Sequence, residues 1–181
     1  MDTRENADRI LKEYGLLEII GRYGIVHIVG SYKMNLMTWN DLDINIENEK
    51  YTPNMVFSLS NDLNEILKPY RFEGFCIKKE KCYFYGCETC IIGEPWKIDI
   101  WFKNRLKIIE TEKNNEKVIE YIIANPSLKN VIIEIKFKLI KLRLYGIQKF
   151  SNKHYHSYKI YNAVLNEGIK NFNNFIEKYP K

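Results

Sequence analysis

The sequence lacks the long hydrophobic runs of a membrane protein. Its apolar stretches are interrupted by Lys, Glu or Asp well before the roughly 18 residues that a spanning helix needs. The opening segment, MDTRENADRI, is charged and has no apolar core, so it does not resemble a signal peptide. From these absences we expect a cytoplasmic protein with no membrane partner.

A strong excess of one charge and low-complexity segments are absent as well. The 28 Lys and Arg exceed the 23 Asp and Glu by only five, and the cations are spread along the chain. This balance weakly favours an anionic ligand but does not single out nucleic acid, because a merely solvated basic surface gives the same charge. With 181 residues, 45% of them hydrophobic, the chain is long enough to bury one continuous core.

Cysteines are few, and all four fall within one short segment. The last two, Cys87 and Cys90, form a C-x-x-C pair, which is a spacing found in zinc sites. The segment is typical of a hairpin with arms at 72–79 and 82–92, and alternation along the second arm sends these two sulfurs to opposite faces. We therefore interpret the cysteines as reduced thiols. A structural zinc is the alternative, because Gly86 can supply a bulge.

Hydrophobic periodicity changes near residue 105. Before it, the pattern predicts helix 3–20, strands 25–29 and 41–47, helix 54–68, strands 72–79 and 82–92, and strand 96–102. After it, the pattern predicts three or four helices, one of them over 126–149. The expected fold class is α/β (α+β), with a core at 1–105 and a helical C-terminal part at 106–181 that need not fold independently.

Two aspartates interrupt the predicted strand DLDINIE at 41–47. Strand alternation places Asp41 and Asp43 on one face and the intervening leucine and isoleucines on the other. Two adjacent carboxylates repel each other unless they are protonated, solvated or holding cations, and such oxygen ligands suit Mg²⁺. We therefore expect these two aspartates to hold metal.

A third carboxylate lies on the predicted strand WKIDIWF. Alternation puts Asp99 on the same face as Lys97 and Trp101, while the isoleucines and phenylalanine point to the core. Three acidic residues on one face of a sheet can hold two Mg²⁺ ions about 3.5–4 Å apart, the arrangement used for in-line attack on phosphorus. Asp99 is therefore the third candidate metal ligand, and Trp101 is a candidate to line the site.

A glycine and a serine follow the apolar run IVHIV. Gly30 and Ser31 allow the backbone to approach a phosphate closely, and the turn after them offers free amide donors. We expect this loop to hold the leaving phosphates, with Lys33 as a further phosphate contact. His27, inside the apolar run, is interpreted as a hydrogen-bonded core histidine and not as a ligand.

Together these features resemble the nucleotidyltransferase superfamily named for DNA polymerase beta, in particular its small stand-alone bacterial members. The resemblance covers residues 25–102, in the family's order. It implies a nucleotidyltransferase-type mixed β-sheet core flanked by helices. It also implies that the triphosphate is contacted by Gly30 and Ser31, that two magnesium ions are bound by Asp41 and Asp43, and that the catalytic metal is bound by Asp99.

The predicted helix 126–149 carries two cations inside its apolar arc. At 100° per residue, Lys136 and Arg143 fall among the isoleucines and leucines of the core-facing side. Cations on such a stripe need anionic partners, and the γ-phosphate end of a bound nucleotide is one candidate. The alternatives are a structural ion pair or long stems that reach across apolar surface to water.

The expected reaction moves a nucleoside monophosphate from a nucleoside triphosphate to an acceptor hydroxyl and releases pyrophosphate. The acceptor is open: a small molecule such as an aminoglycoside, a protein side chain, or an RNA end as in toxin-antitoxin members and terminal transferases of the superfamily. The short chain and the lack of a recognisable RNA-binding module count mildly against RNA. A nucleotide-binding module without turnover is the alternative from another class, and it needs fewer metal ligands.

Overall fold

The structure is a computed structural model that describes residues 3–77, 79, 82–146 and 155–180. The chain divides into two compact units, Met1–Asn115 and Glu116–Lys181. The division falls inside the long helix α5 (Arg105–Ala124), which begins where the sequence pattern changes. Among the described residues, no helix is both long and apolar enough to cross a membrane.

The first unit is built on a five-stranded mixed sheet. Its strands are ordered β1-β2-β5-β4-β3, where β2 and β5 run parallel and the other neighbours antiparallel. The mixed α/β architecture predicted from the sequence is thereby confirmed. In chain order the elements before α5 are α1 (Thr3–Lys12), α2 (Leu16–Gly21), β1 (Ile25–Val29), α3 (Gly30–Lys33), β2 (Asp41–Glu47), α4 (Pro53–Leu67), β3 (Arg71–Ile77), β4 (Cys82–Ile91) and β5 (Glu94–Lys103).

One face of the sheet packs against helices α1, α2 and α4 and forms the core. The strands contribute side chains at every second position, as a pleated sheet requires. These residues are almost completely buried together with apolar residues of the three helices. The core-facing positions of the two central strands are Leu42, Ile44, Ile46, Ile98, Ile100 and Phe102.

The opening helix differs from the prediction, because 3–20 forms two helices. Gly15 lies between them with φ +75°, in the left-handed region that a right-handed helix cannot contain. Of the apolar residues at helical spacing in the predicted helix, Ile10, Leu11 and Ile20 are buried, Leu17 is half-buried and Tyr14 is 37% exposed.

The second unit contains α6 (Ser127–Lys141), α7 (Ser157–Leu165) and α8 (Phe172–Lys178) within the described residues. The predicted helix 126–149 was too long at its C-terminal end, and its residues 147–149 lie outside the described residues. Helix α6 ends in a Schellman motif: the Leu144 N–H donates to the Leu139 carbonyl (2.8 Å), and the Arg143 N–H donates to Ile140 (2.9 Å). Arg143 has φ +56°, the conformation that this motif requires.

Candidate active site

Three aspartates meet on the face of the sheet opposite the core. Strands β2 and β5 are parallel neighbours, and their register sets Asp43 opposite Asp99 and Asp41 opposite Lys97. Paired residues of adjacent strands point to the same face, so the three carboxylates lie side by side. The side chains of Asp41 and Asp99 are 14% and 16% exposed. The structure thus brings together the three carboxylates that the sequence singled out.

A lysine occupies the middle of this acidic cluster. The Lys97 ammonium donates a hydrogen bond to Asp99 Oδ2 and lies 3.9 Å from Asp41 Oδ1, so it bridges the two strands. In the part of the chain that the structure describes, no three His, Cys, Asp or Glu side chains are grouped as a ready-made metal site. The sequence had placed Lys97 on this face but had assigned it no role.

The pKa values in the cluster show two opposing effects. Burial raises the pKa of the Asp99 carboxyl, although the neighbouring Lys97 acts to lower it. Burial alone would lower the pKa of the Lys97 ammonium, but the carboxylates of Asp41, Asp99 and Asp43 outweigh burial and raise it. The lysine is therefore held in its charged form by the acids around it.

The chemistry of the cluster fits a divalent cation. Asp99 Oδ1 is buried and makes no hydrogen bond to any described residue, so it is available as a ligand. Carboxylate oxygens on one face are the hard donors that Mg²⁺ prefers. An ammonium already lies between two of the carboxylates, which shows that the cluster accommodates a cation, but Mg²⁺ would compete with it for Asp99 Oδ2.

Gly30 lies directly beside the acidic pair. It has φ +64°, and a Cβ atom built at this position would be 2.1 Å from Asp43 Oδ2. A glycine is therefore needed for two reasons, the left-handed backbone and the close approach of a carboxylate. The sequence had explained Gly30 only by the approach of a phosphate. Its neighbour Ser31 is buried, and Lys33 is exposed at the end of the short helix α3.

The two cations predicted for the triphosphate lie in the second unit and differ from each other. Lys136 is fully buried on α6, and its ammonium lies 5.7 Å and 5.8 Å from the ring centres of Tyr145 and Tyr161. Arg143 is exposed in the turn after α6, so its predicted place on the helical apolar arc was wrong. Of the two, only Lys136 is part of α6 and buried.

An aromatic group continues the acidic face and runs across the sheet from Trp101 on β5 to Phe84 on β4 and Phe75 on β3. The rings of Trp101 and Phe84 lie 4.7 Å apart, as do those of Phe84 and Phe75. A Cβ at Gly86 would be 2.5 Å from Phe84 Cζ and 3.1 Å from Asp99 Oδ1, so this glycine lets the Phe84 ring lie beside the carboxylate. Trp101 therefore lies on the face of the candidate site, as strand alternation predicted.

A shallow depression adjoins Asp99 on the side of β3 and β4. Glu73, Glu88 and Arg71 line it together with Lys97 and Asp99. Arg71 donates to Glu88 at 3.1 Å. Three carboxylates and two cations thus line the depression.

A second charged network, which sequence reasoning missed, involves His27. Its Nδ1 contacts Glu112 Oε1 (2.8 Å) and its Nε2 contacts Glu47 Oε2 (2.9 Å). Arg105 also donates to Glu47 at 2.8 Å. His27 is hydrogen-bonded as predicted, but it does not belong to the core: its side chain is 13% exposed and its partners come from α5 and the end of β2. No spacing rule links residues so far apart in the sequence.

No protein-family model matches the chain, and no curated protein sequence matches it. Solved structures do match. The polymerase core of TRAMP, an RNA surveillance complex, aligns with a TM-score of 0.63 and 18% identity over 89% of this chain and 48% of its own. A cytoplasmic RNA terminal U-transferase aligns with a TM-score of 0.59 and 19% identity, covering 90% of this chain and 47% of its own.

The Cid1 poly(U) polymerase, solved with Mg and 3'-dATP, also aligns with a TM-score of 0.59 and 18% identity over 90% of this chain and 48% of its own. The chain thus spans about half the length of these three structures. At such low identity the likeness concerns the fold alone. The chain therefore shares a fold with these polymerase and transferase structures, which agrees with the mixed α/β fold class expected from the sequence.

Proposed function

We propose that this protein is a Mg²⁺-dependent nucleotidyltransferase. It transfers a nucleoside monophosphate from a nucleoside triphosphate to an acceptor hydroxyl and releases pyrophosphate. The observation that carries the proposal is the register of β2 and β5, which sets Asp43 beside Asp99 and brings Asp41 to the same face. Three carboxylates in one cluster are more than a structural role needs, because each adds repulsion that has to be offset.

The metal ligands in this proposal are Asp41, Asp43 and Asp99. Two magnesium ions held by them supply a lowered pKa at the acceptor hydroxyl and charge neutralisation at the pyrophosphate. The residues of the chain align the donor and acceptor and place negative charge where the metals bind, so no nucleophilic side chain is required.

Phosphate binding is assigned to Gly30, Ser31 and Lys33, and a phosphate contact by Lys136 is a separate hypothesis. The close approach of Gly30 to Asp43 supports the first group, because it places the loop next to the metal ligands. For Lys136, full burial favours a structural cation as the competing role. Lys136→Met distinguishes the two roles. If Lys136 binds phosphate, its loss lowers nucleotide affinity; if it is a structural cation, its loss lowers the stability of the nucleotide-free protein.

An RNA end is the first acceptor to test. The neighbours named above include an RNA terminal U-transferase and a poly(U) polymerase, which supports a nucleic-acid hydroxyl. A second candidate is a small cationic molecule such as an aminoglycoside. The depression beside Asp99 favours it, because its lining includes the carboxylates of Glu73 and Glu88 as well as two cations, so it offers acceptors for amino groups.

Two experiments test the proposal. Thermal unfolding with each nucleoside triphosphate and Mg²⁺ reveals donor binding, and a ligand at one hundred times its dissociation constant stabilises the folded state by about 2.7 kcal/mol. Labelled nucleoside triphosphates incubated with pooled RNAs, aminoglycosides and cell lysate then identify the acceptor. If no triphosphate changes the melting temperature, the donor site is wrongly assigned. Tight binding without transfer to any pool identifies a nucleotide-binding module.

A further inference from the structure

We propose that Lys97 is a resident counter-ion of the acidic cluster, which a divalent cation must displace in order to bind. The inference rests on the proposed function, because it concerns the same three carboxylates. It adds a residue that sets the metal affinity of the site and keeps the acids together when no metal is bound. Lys97 is thus a positioning residue whose contacts exchange during each cycle of metal binding.

The contacts of Lys97 carry the argument. Its ammonium bonds to Asp99 on its own strand and lies 3.9 Å from Asp41 on the parallel neighbour. One positive charge thereby joins the two strands that carry the predicted metal ligands. Asp99 uses Oδ2 for this bond, and that is an oxygen a metal would also take. A metal that takes Oδ2 together with the open Oδ1 therefore competes with the lysine for Asp99.

The charges of the aspartates require a cation in the position that the Lys97 ammonium occupies. The aspartates Asp41 and Asp99 are largely buried, and partly buried like charges repel strongly unless a cation lies among them. The ammonium provides that cation in the metal-free protein. Two cations about 4 Å or less apart would in turn repel each other. A metal at the cluster and the ammonium in its present position therefore exclude one another.

The structure also offers the displaced ammonium a new partner. Glu88 is the cross-strand partner of Lys97 on β4, and side chains at such positions have Cβ atoms about 4.5–5.5 Å apart. Glu88 already accepts a hydrogen bond from Arg71, and a carboxylate can accept several. The Lys97 side chain is 37% exposed, more than its two aspartate partners, so it has room to turn. We assign Glu88 as its partner in the metal-bound state.

Calorimetric titration of the full chain with Mg²⁺ alone, and with Mn²⁺ alone, tests the proposal. Lys97→Gln should bind the metal about thirtyfold more tightly, the effect of removing one unit charge about 4 Å from a divalent ion at the dielectric constant of water. Lys97→Arg keeps the charge and should resemble the wild type. Equal or weaker metal binding by a folded Lys97→Gln protein overturns the proposal.

Lys103→Gln is the matched control. Lys103 is on the same strand and the same face, four residues from Asp99, which places it about 13 Å from the acidic cluster. This distance exceeds the Debye length of about 8 Å at physiological ionic strength, so removing its charge should leave metal affinity nearly unchanged. A gain in metal affinity by Lys103→Gln equal to that of Lys97→Gln would show a general charge effect and overturn the proposal.

A measurement on the wild-type protein decides the matter even if Lys97→Gln does not fold. Amine-reactive labelling followed by mass spectrometry reports the accessibility of each lysine, with Lys103 as the internal reference. Labelling of Lys97 should rise when Mg²⁺ is added, and unchanged labelling at a metal concentration that saturates the site overturns displacement. If Mg²⁺ and a triphosphate bind and transfer occurs without this rise, the proposed function stands and the role of Lys97 fails. If neither metal nor triphosphate binds, both fail.

Discussion

The two faces of the central sheet are made by the same strands and have opposite properties. On one face, Ile98 and Ile100 are fully buried under helices. On the other face, a charged and aromatic surface is formed by Lys97, Asp99 and Trp101, which alternate with these isoleucines along β5. Because alternate residues of a strand point to opposite faces, stability and chemistry can be assigned to neighbouring positions.

The two faces also contribute differently to stability. The core face gains free energy from burial of apolar surface. The acidic face gathers like charges and offsets them with Lys97, a compromise that is typical of functional sites. Substitutions on the first face should therefore affect folding, and substitutions on the second should affect ligand binding and turnover.

The largest effect is expected for Asp99→Asn, on the acidic face. The side chain keeps its shape but loses the charge that the acceptor-activating metal requires, so transfer should fall by several orders of magnitude while triphosphate affinity falls only modestly. Turnover and binding measured on the same preparation check this. Transfer at the wild-type rate by the variant would exclude the two-metal arrangement.

Ile100→Ala tests the core face of the sheet, at the position next to Asp99. Removing a fully buried isoleucine side chain should lower the free energy of unfolding by about 2–5 kcal/mol. Below its melting temperature, transfer per folded molecule should stay close to that of the wild type. Urea denaturation and an activity assay at low temperature measure the two quantities. A folded variant without activity would show that the faces are not independent.

Gly30→Ala should have a smaller effect, which lowers both the stability of the protein and its affinity for the triphosphate. A non-glycine residue in the left-handed region costs about 1–2 kcal/mol, and here the new Cβ also collides with Asp43 Oδ2. Gly93→Ala is the control, since Gly93 has φ +74° and nothing within 4 Å of an added Cβ. Both variants should lose stability, but only Gly30→Ala should lose triphosphate affinity. Equal affinities would separate Gly30 from the donor site.

The smallest effect is expected for Arg105→Gln, at the far end of the acidic face. The hydrogen bond from Arg105 lowers the pKa of Glu47, with His27 contributing in the same direction. A carboxyl with a lowered folded-state pKa stabilises the protein above its unfolded pKa, and this contribution is lost as the pH falls through the folded-state value. Unfolding free energies of both proteins should therefore differ at neutral pH and converge in acid. A difference that does not change with pH would contradict this coupling.

The sequence predicted the strands and their faces well, because a period of two is visible in DLDINIE and WKIDIWF. It therefore also predicted that Asp99 joins the aspartate pair, which the register confirms. The role of Lys97 depends on which residue of β2 lies opposite it, and that register is set by tertiary packing. The end of α6 was missed since Arg143 takes the left-handed position that glycine usually marks.

The parallel pairing of β2 and β5 has a consequence for biosynthesis. A parallel pair needs a long crossover, and here α4, β3 and β4 lie between the two strands in the chain. Asp43 leaves the ribosome long before Asp99, and pairing between distant segments forms slowly. The acidic cluster thus cannot exist on a nascent chain that has not yet completed β5. A nascent chain that ends before β5 lacks Asp99 and therefore cannot assemble the proposed metal site.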